Sequence, residues 1–239
     1  MVRPIRARPA NALVKRLHYS GKVTQNSQLH LGVFLDGQLL GAMQFGPPID
    51  RRKVLHLVEG SRWDSMVELN RMAFSDKLPR NSESRAMAVA FRLLRKNAPQ
   101  VKWVLSFADG CQCGDGTIYR AAGFLLTQVK KNSTLLRMPD GSVVANKSLN
   151  DNPAPNGKSG TSAAKNAGAV PLQGFQFRYI RFIDPTWRDR LAVPVIPFDR
   201  IPAEAKMVRG LRVSSSEPSE NPSEVGGAAP TLTLHPSSR

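Results

Sequence analysis

The spacing of apolar residues changes several times along the chain, and each change marks an element. The first twenty residues are basic and punctuated by proline, but "ANALVKRLHY" has the composition of a short helix. In "LHLGVFLDGQLLGAMQFG", two apolar runs flank Asp36-Gly37. Asp-Gly in that setting predicts a tight β-hairpin. Gly32, Gly41 and Gly46 soften the two strands and mark candidate bulges. "VELNRMAFSD" alternates imperfectly and predicts a third strand ending near Phe74.

After the turn-forming "SDKLPRNSES", Met87, Phe91 and Leu94 recur at helical spacing. Ser82 is a candidate N-cap for this helix and Pro99 its stop signal. "VKWVLSFAD" is almost continuously apolar, the pattern of a strand buried on both faces. "GTIYRAAGF" predicts a short helix closed by Gly123, and "FLLTQVKK" a further strand. "FQFRYIRFI" has strand composition, with Phe175, Phe177 and Tyr179 on one face.

The remaining segments lack a period. Residues 150–170 are small and polar and read as a mobile loop. From Asp184 to Pro202 the chain is proline-rich yet carries enough apolar groups to pack on a core. Residues 211–239 have the composition of a disordered tail. A single domain over 1–210 follows, with no internal repeat.

Charge sharpens this picture. The chain has 239 residues, 41% of them hydrophobic, and a net charge of +16. The tail holds Arg212 and Arg239 against Glu217, Glu220 and Glu224, so the positive excess belongs to the folded part. A surplus of this size favours a polyanionic partner, nucleic acid first, over a merely solvated basic surface or a ribosome-associated protein. The two cysteines, Cys111 and Cys113, are too close in sequence to bridge well and have no second pair to complete a zinc site. The basic N-terminus has no apolar core of a signal peptide, and no stretch is long enough to span a membrane. The expected setting is therefore a reducing cytoplasm.

The order hairpin, strand, loop, helix, strand, helix, strand resembles the GNAT acyltransferase superfamily, as does "YRAAGF". The resemblance implies an α/β (α+β) fold with a mixed, mostly antiparallel central sheet flanked by helices. In that superfamily a strand splays from its neighbour, and the loop before the long helix cradles coenzyme A phosphates. Here the loop is "SDKLPRNSESR", which lacks the usual glycines, so Lys77, Arg80 and Arg85 would supply more of the phosphate binding.

A more specific resemblance covers about residues 12–205. "LHYSGKV", "ELNRMAFSDKLPRNSESRAMA", "VKWVLSFADGCQCGDGTIYRAAGF" and "FIDPTWRDRLAVPVIPF" are similar to the Mom DNA-modification proteins of Mu-like phages. That resemblance implies conversion of DNA adenine to an N6-carbamoylmethyl form that blocks host restriction, in the cytoplasm of a bacterial host. It also implies an iron ion, and acetyl-coenzyme A or a related donor bound with Arg71 and Ser84. The implied constellation is His18, Tyr19, Asp109 and Tyr119, both as catalytic groups and as metal ligands. Double-stranded DNA is the implied partner, with a homodimer left open.

Each of these residues also has a plainer role. His18 suits a base or a metal ligand, or a surface histidine beside a packed aromatic. Asp109 ends a buried strand, where open sheets place their sites, or it caps the turn at Gly110. Asp115, in "GDGT", reads more readily as a turn. Tyr119 could protonate a leaving group or simply pack. Arg71 could pair with Glu68 or Asp76 across strands, and Ser84 could cap a helix.

Two further expectations concern DNA. Arg3, Arg6, Arg8, Lys15, Arg16, Arg51, Arg52 and Lys53 are candidate phosphate contacts, with Arg51, Arg52 and Lys53 placed to flank a groove. A duplex adenine must also be extruded to react, and Trp63, Tyr19 and Phe107 are candidate stacking groups, although Phe107 reads better as core. The competing functions are a conventional acetyltransferase acting on a protein or RNA amine, and a non-catalytic DNA-binding protein on the same scaffold.

Overall fold

In the computed structural model, residues 1–112, 114–151, 159–202 and 205 are described, all within one compact unit, Met1–Val208. The chain order is β1 (Val2–Pro4), α1 (Ala7–Leu17), β2 (Leu29–Leu35), β3 (Gln38–Gly46), β4 (Met66–Phe74), α2 (Ser82–Asn97), β5 (Trp103–Asp109) and α3 (Thr117–Ala121). It continues with β6 (Leu125–Lys131), β7 (Leu135–Arg137), β8 (Val143–Ala145), α4 (Asn146–Asn150), α5 (Gly160–Asn166), β9 (Val170–Pro171) and β10 (Phe175–Phe182). The expected tail and Cys113 lie outside the described residues.

Seven strands form one sheet in the order β1-β2-β3-β4-β5-β10-β6. All neighbours are antiparallel except β4 and β5. The fold is thus the expected mixed α/β arrangement, with a mostly antiparallel sheet flanked by helices. The β2–β3 hairpin turns where the sequence places it. Asp36 and Gly37 have φ of 47° and 78°, the left-handed pair that a two-residue turn between twisted strands requires.

The two sheet faces are covered differently. On one, α2 buries Ala86, Met87, Ala90, Phe91 and Leu94 against Leu69, Val104, Leu126 and Tyr179. Each large apolar side chain removed from water here contributes about 1.5–3 kcal/mol, so this face carries much of the stability. Ser82 does not cap the helix. Asn81 occupies the cap in a left-handed conformation, and the Ser82 hydroxyl donates to the Pro79 carbonyl at 2.6 Å. The helix does stop before Pro99.

On the other face, Ala10 and Leu13 of α1 pack on Ala42 of β3. Short 3-10 turns at Leu55–Leu57 and Pro185–Arg190 belong to segments that cover Trp103, Leu105, Ile180 and Phe182. The proline-rich stretch after Asp184 therefore packs on the domain through Trp187, Leu191 and Val193.

Between β6 and β10 the chain makes an excursion with its own three-stranded sheet, β8-β7-β9, and its own core of Leu136, Ala164 and Ala169. Where 150–170 read as a loop, α5 and β9 stand; residues 152–158 lie outside the described set. Helix α5 mixes the helix formers Ala163, Ala164 and Lys165 with Gly160, Thr161, Ser162 and Asn166. The Asn150 carbonyl side chain anchors its start by accepting from the Thr161 amide at 3.1 Å and the Ser159 hydroxyl at 2.8 Å.

Candidate active site

The parallel strands β4 and β5 pair over three residues only, and the last pair is Glu68 with Leu105. Beyond it, β4 stays with β3 through a bulge at Asn70, while β5 stays with β10. The central sheet is therefore split towards the C-terminal ends of both strands. Glu68, Arg71, Phe107 and Asp109 lie on the face opposite α2, as register and alternation require.

Glu68 is the group that sequence reasoning missed. Burial pushes its carboxyl up to about 7, against a weaker pull downward from the Asn70 side chain and the charge of Arg71. It therefore changes protonation near neutral pH. Arg71 donates from Nε to the Lys22 carbonyl at 2.9 Å and from Nη1 to the Asn70 carbonyl at 2.7 Å. This guanidinium ties β4 to the α1–β2 connection rather than reaching Ser84.

His18 caps the C-terminus of α1, its amide bonding the Val14 carbonyl. Burial, and then the Arg71 charge, lower its pKa to about 4, so the ring is neutral at pH 7. The Ser20 amide donates to Nδ1 at 3.2 Å, and the Ser20 hydroxyl lies 2.8 Å from the same nitrogen. A nitrogen that accepts from a backbone N–H carries no proton, so the neutral ring bears its hydrogen on Nε2. This tautomer leaves Nε2 of His18 as a hydrogen-bond donor. The Tyr19 ring packs on His18 with centroids 4.2 Å apart.

Across the split, Asp109 ends β5 and organises the corner that follows. Its carboxylate accepts from the Cys111 amide at 3.0 Å and from Gln112 Nε2 at 2.7 Å. Asp115, as expected, makes a turn, accepting from the Thr117 amide and hydroxyl. Tyr119 enters from the α2 side. Its ring is buried against Phe124 and Tyr179, and its hydroxyl makes a long 3.5 Å bond to the Phe107 carbonyl on β5. His18 and Asp109 thus share a sheet face, whereas Tyr119 approaches β5 from the other.

The stacking candidates are reordered. Phe107 is not core: its residue is 45% exposed, because the segments that cover Trp103 and Leu105 do not extend over it. Trp63 is exposed, but the Arg51 guanidinium already sits 4.4 Å over its ring. Arg52 and Lys53 reach Asp50 at 4.0 and 3.2 Å, so part of the charge expected at this turn is met within the protein.

Lys77 and Arg80 lie in the loop before α2, and Ser84 and Arg85 in its first turn. The Ser84 hydroxyl donates to the Asn81 carbonyl at 3.1 Å. Among the described residues no three His, Cys, Asp or Glu side chains are grouped to hold a metal. His18 Nδ1 and both Asp109 oxygens are also engaged in hydrogen bonds. Among the described residues, no helix is long and apolar enough to cross a membrane.

The chain has recognisable relatives. Methylcarbamoylase mom of Escherichia phage Mu is 35% identical over 184 residues, covering 76% of this chain and 75% of that protein. Among solved structures, the ribosomal-protein-S18-alanine N-acetyltransferase from Escherichia coli is similar at TM-score 0.43 and 11% identity, over 77% of this chain and 94% of that one. A GNAT-family acetyltransferase from Streptococcus pneumoniae gives TM-score 0.42 and 10% identity, over 76% and 98%. The Mom protein family profile matches residues 1–200, and the chain belongs to that family.

Proposed function

We propose that the chain is a DNA adenine N6-modifying transferase, making N6-carbamoylmethyladenine and so shielding phage DNA from host restriction. The observation that carries this reading is the split between β4 and β5, lined on one face by Glu68, Arg71, Phe107 and Asp109, in a member of the Mom family.

The chemistry follows from the product. The N6 lone pair is delocalised into the purine, so N6 is a weak nucleophile and gains from losing a proton as it attacks. A carbamoylmethyl group joins N6 through a methylene carbon, and the methyl carbon of an acetyl group is not electrophilic. The donor is therefore an activated carbamoylmethyl compound. The N6–carbon bond forms as the bond from that carbon to the leaving group breaks, and the leaving group keeps the electron pair. Glu68, ionised above about pH 7, takes the N6 proton. Neutral His18 donates from Nε2 to the donor's carbamoyl oxygen. The Tyr119 hydroxyl, which reaches the Phe107 carbonyl from the α2 side, supplies a proton to a leaving group lying in the gap between β4 and β5, and Asp109 holds the corner in place. Lys77, Arg80, Ser84 and Arg85 at the start of α2 would hold the phosphates of a coenzyme A-type or related donor.

The test is mass spectrometry of nucleosides from DNA of cells expressing the chain. A carbamoylmethyl adduct on deoxyadenosine is expected. An acetyl adduct on protein or RNA instead would establish a conventional acetyltransferase. Tight DNA binding with no adduct of any kind would leave only a binding protein.

A further inference from the structure

Of the three aromatic side chains that could receive an extruded base, two have a face already in use. Tyr19 lies on His18, and Trp63 lies under Arg51. Phe107 differs. It stands 45% exposed in the middle of the sheet, at the edge where β4 has left β5. An exposed aromatic ring at this place offers a planar apolar face on which another ring can stack.

Its neighbours are those a nucleotide would need. Register places Arg178 of β10 directly beside Phe107, and Gln176 beside Asp109. One strand further, Gln128 and exposed Lys130 of β6 continue these two rows. The Arg178 guanidinium is held against β6 by bonds to the Thr127 hydroxyl at 3.1 Å and carbonyl at 3.2 Å. The Gln176 side chain is held by its amide donating to the Thr134 hydroxyl at 2.9 Å. One aromatic face is thus set among fixed polar groups and cations, matching the π-face and phosphates of a nucleotide.

Position relative to Glu68 narrows the choice. Glu68 pairs with Leu105, and Leu105 and Asp109 each lie two residues, about 7 Å, from Phe107 on the same face. A base lying on Phe107 would therefore share its sheet face with both carboxylates.

We propose that Phe107 is the platform on which the extruded adenine stacks, with Arg178 and Lys130 facing the adjoining phosphates. This rests on the reading of DNA adenine as substrate, and it is testable without the reaction. Fluorescence anisotropy with no donor present would compare a duplex bearing one unpaired adenine with the same duplex fully paired. An unpaired base has already met the cost of leaving the stack. The wild-type chain is expected to bind the bulged duplex about tenfold more tightly, in line with the free energy of stacking one base. Phe107→Ala is expected to remove that margin while changing paired-duplex binding by less than about twofold, and Phe107→Trp to keep it. Thermal unfolding of both variants checks the fold. Equal wild-type affinity for the two duplexes, or an undiminished margin in a folded Phe107→Ala, would overturn the platform. Nucleoside mass spectrometry separates the two proposals. A bulge margin without any adduct sinks the reaction and leaves the platform standing, and an adduct without the margin does the reverse.

Discussion

Glu68 of β4 and Leu105 of β5 are the last residues to pair before the two parallel strands part. This one relationship places an acid that titrates near neutrality at the head of a cleft. It also makes Glu68 the most informative position to change.

Glu68→Gln removes the proton acceptor and keeps shape and hydrogen-bonding capacity. A rate loss of about 10²- to 10⁴-fold is expected, the usual contribution of a general base. The wild-type rate should rise with pH up to about 7, as Glu68 ionises, and the variant should lack that limb. Single-turnover kinetics from pH 5.5 to 8.5 measure both; an unchanged limb in the variant would assign it to another group.

Glu68 and His18 act on stability with opposite sign over nearly the same pH window. The folded carboxyl holds its proton up to about 7, against an ordinary value near 4.5, so Glu68 lowers stability as pH rises across that interval. The folded His18 ring refuses a proton down to about 4, against 6.5, so His18 lowers stability as pH falls across it. Each effect is at most roughly 3 kcal/mol over the full interval. The wild-type protein should therefore show a nearly flat denaturant midpoint between pH 5 and 6.5. Glu68→Gln should become more stable with rising pH, and His18→Gln less stable. Urea titrations at four pH values would reveal the two slopes.

Asp109→Ala and Tyr119→Phe should each abolish modification and leave a folded, DNA-binding protein. The first loses a turn cap, costing about 1 kcal/mol, and the second a 3.5 Å bond whose loss costs less. Adduct yield by mass spectrometry, with circular dichroism as the control, decides this. Wild-type-like yield from both variants rejects the assigned roles.

Arg51 differs from its neighbours Arg52 and Lys53 in resting on Trp63 rather than reaching Asp50. If its guanidinium meets a phosphate, Arg51→Ala lowers the slope of log affinity against log salt by about one. The Arg52 and Lys53 substitutions should lower it by less, since Asp50 already offsets them. Filter binding from 50 to 200 mM salt measures these slopes.

Local chemistry was legible in the sequence where neighbours along the chain decide it. Asp36-Gly37 prescribes its turn, and Met87, Phe91 and Leu94 prescribe the buried stripe of α2. The site was legible only where a residue ends a recognisable run, as Asp109 does. Glu68 carries no local signal, because its place at the parting of the strands is set by register with β5 and by the bulge at Asn70. Phe107 misleads for a related reason. It sits in an unbroken apolar run, yet the segments that cover its neighbours come from residues 54–58 and 182–193 and stop short of it. Helix α5 is not legible in the sequence because its composition favours neither state, and distant Asn150 decides. The tautomer of His18 depends on Ser20, two residues away, but only once a fold fixes their geometry.

The excursion between β6 and β10 leaves and rejoins the sheet at a narrow neck, where the Asn132 amide meets the Gly174 carbonyl at 2.9 Å. The Asn132 side chain then clamps both outgoing and returning chains, donating to the carbonyls of Leu135 and Leu172. A module with its own core, mounted on one stem between adjacent antiparallel strands, can be exchanged or trimmed back to a tight hairpin while the parent sheet keeps its register. Change within that module is thereby uncoupled from the strand pairing that sets the gap beside β4 and β5.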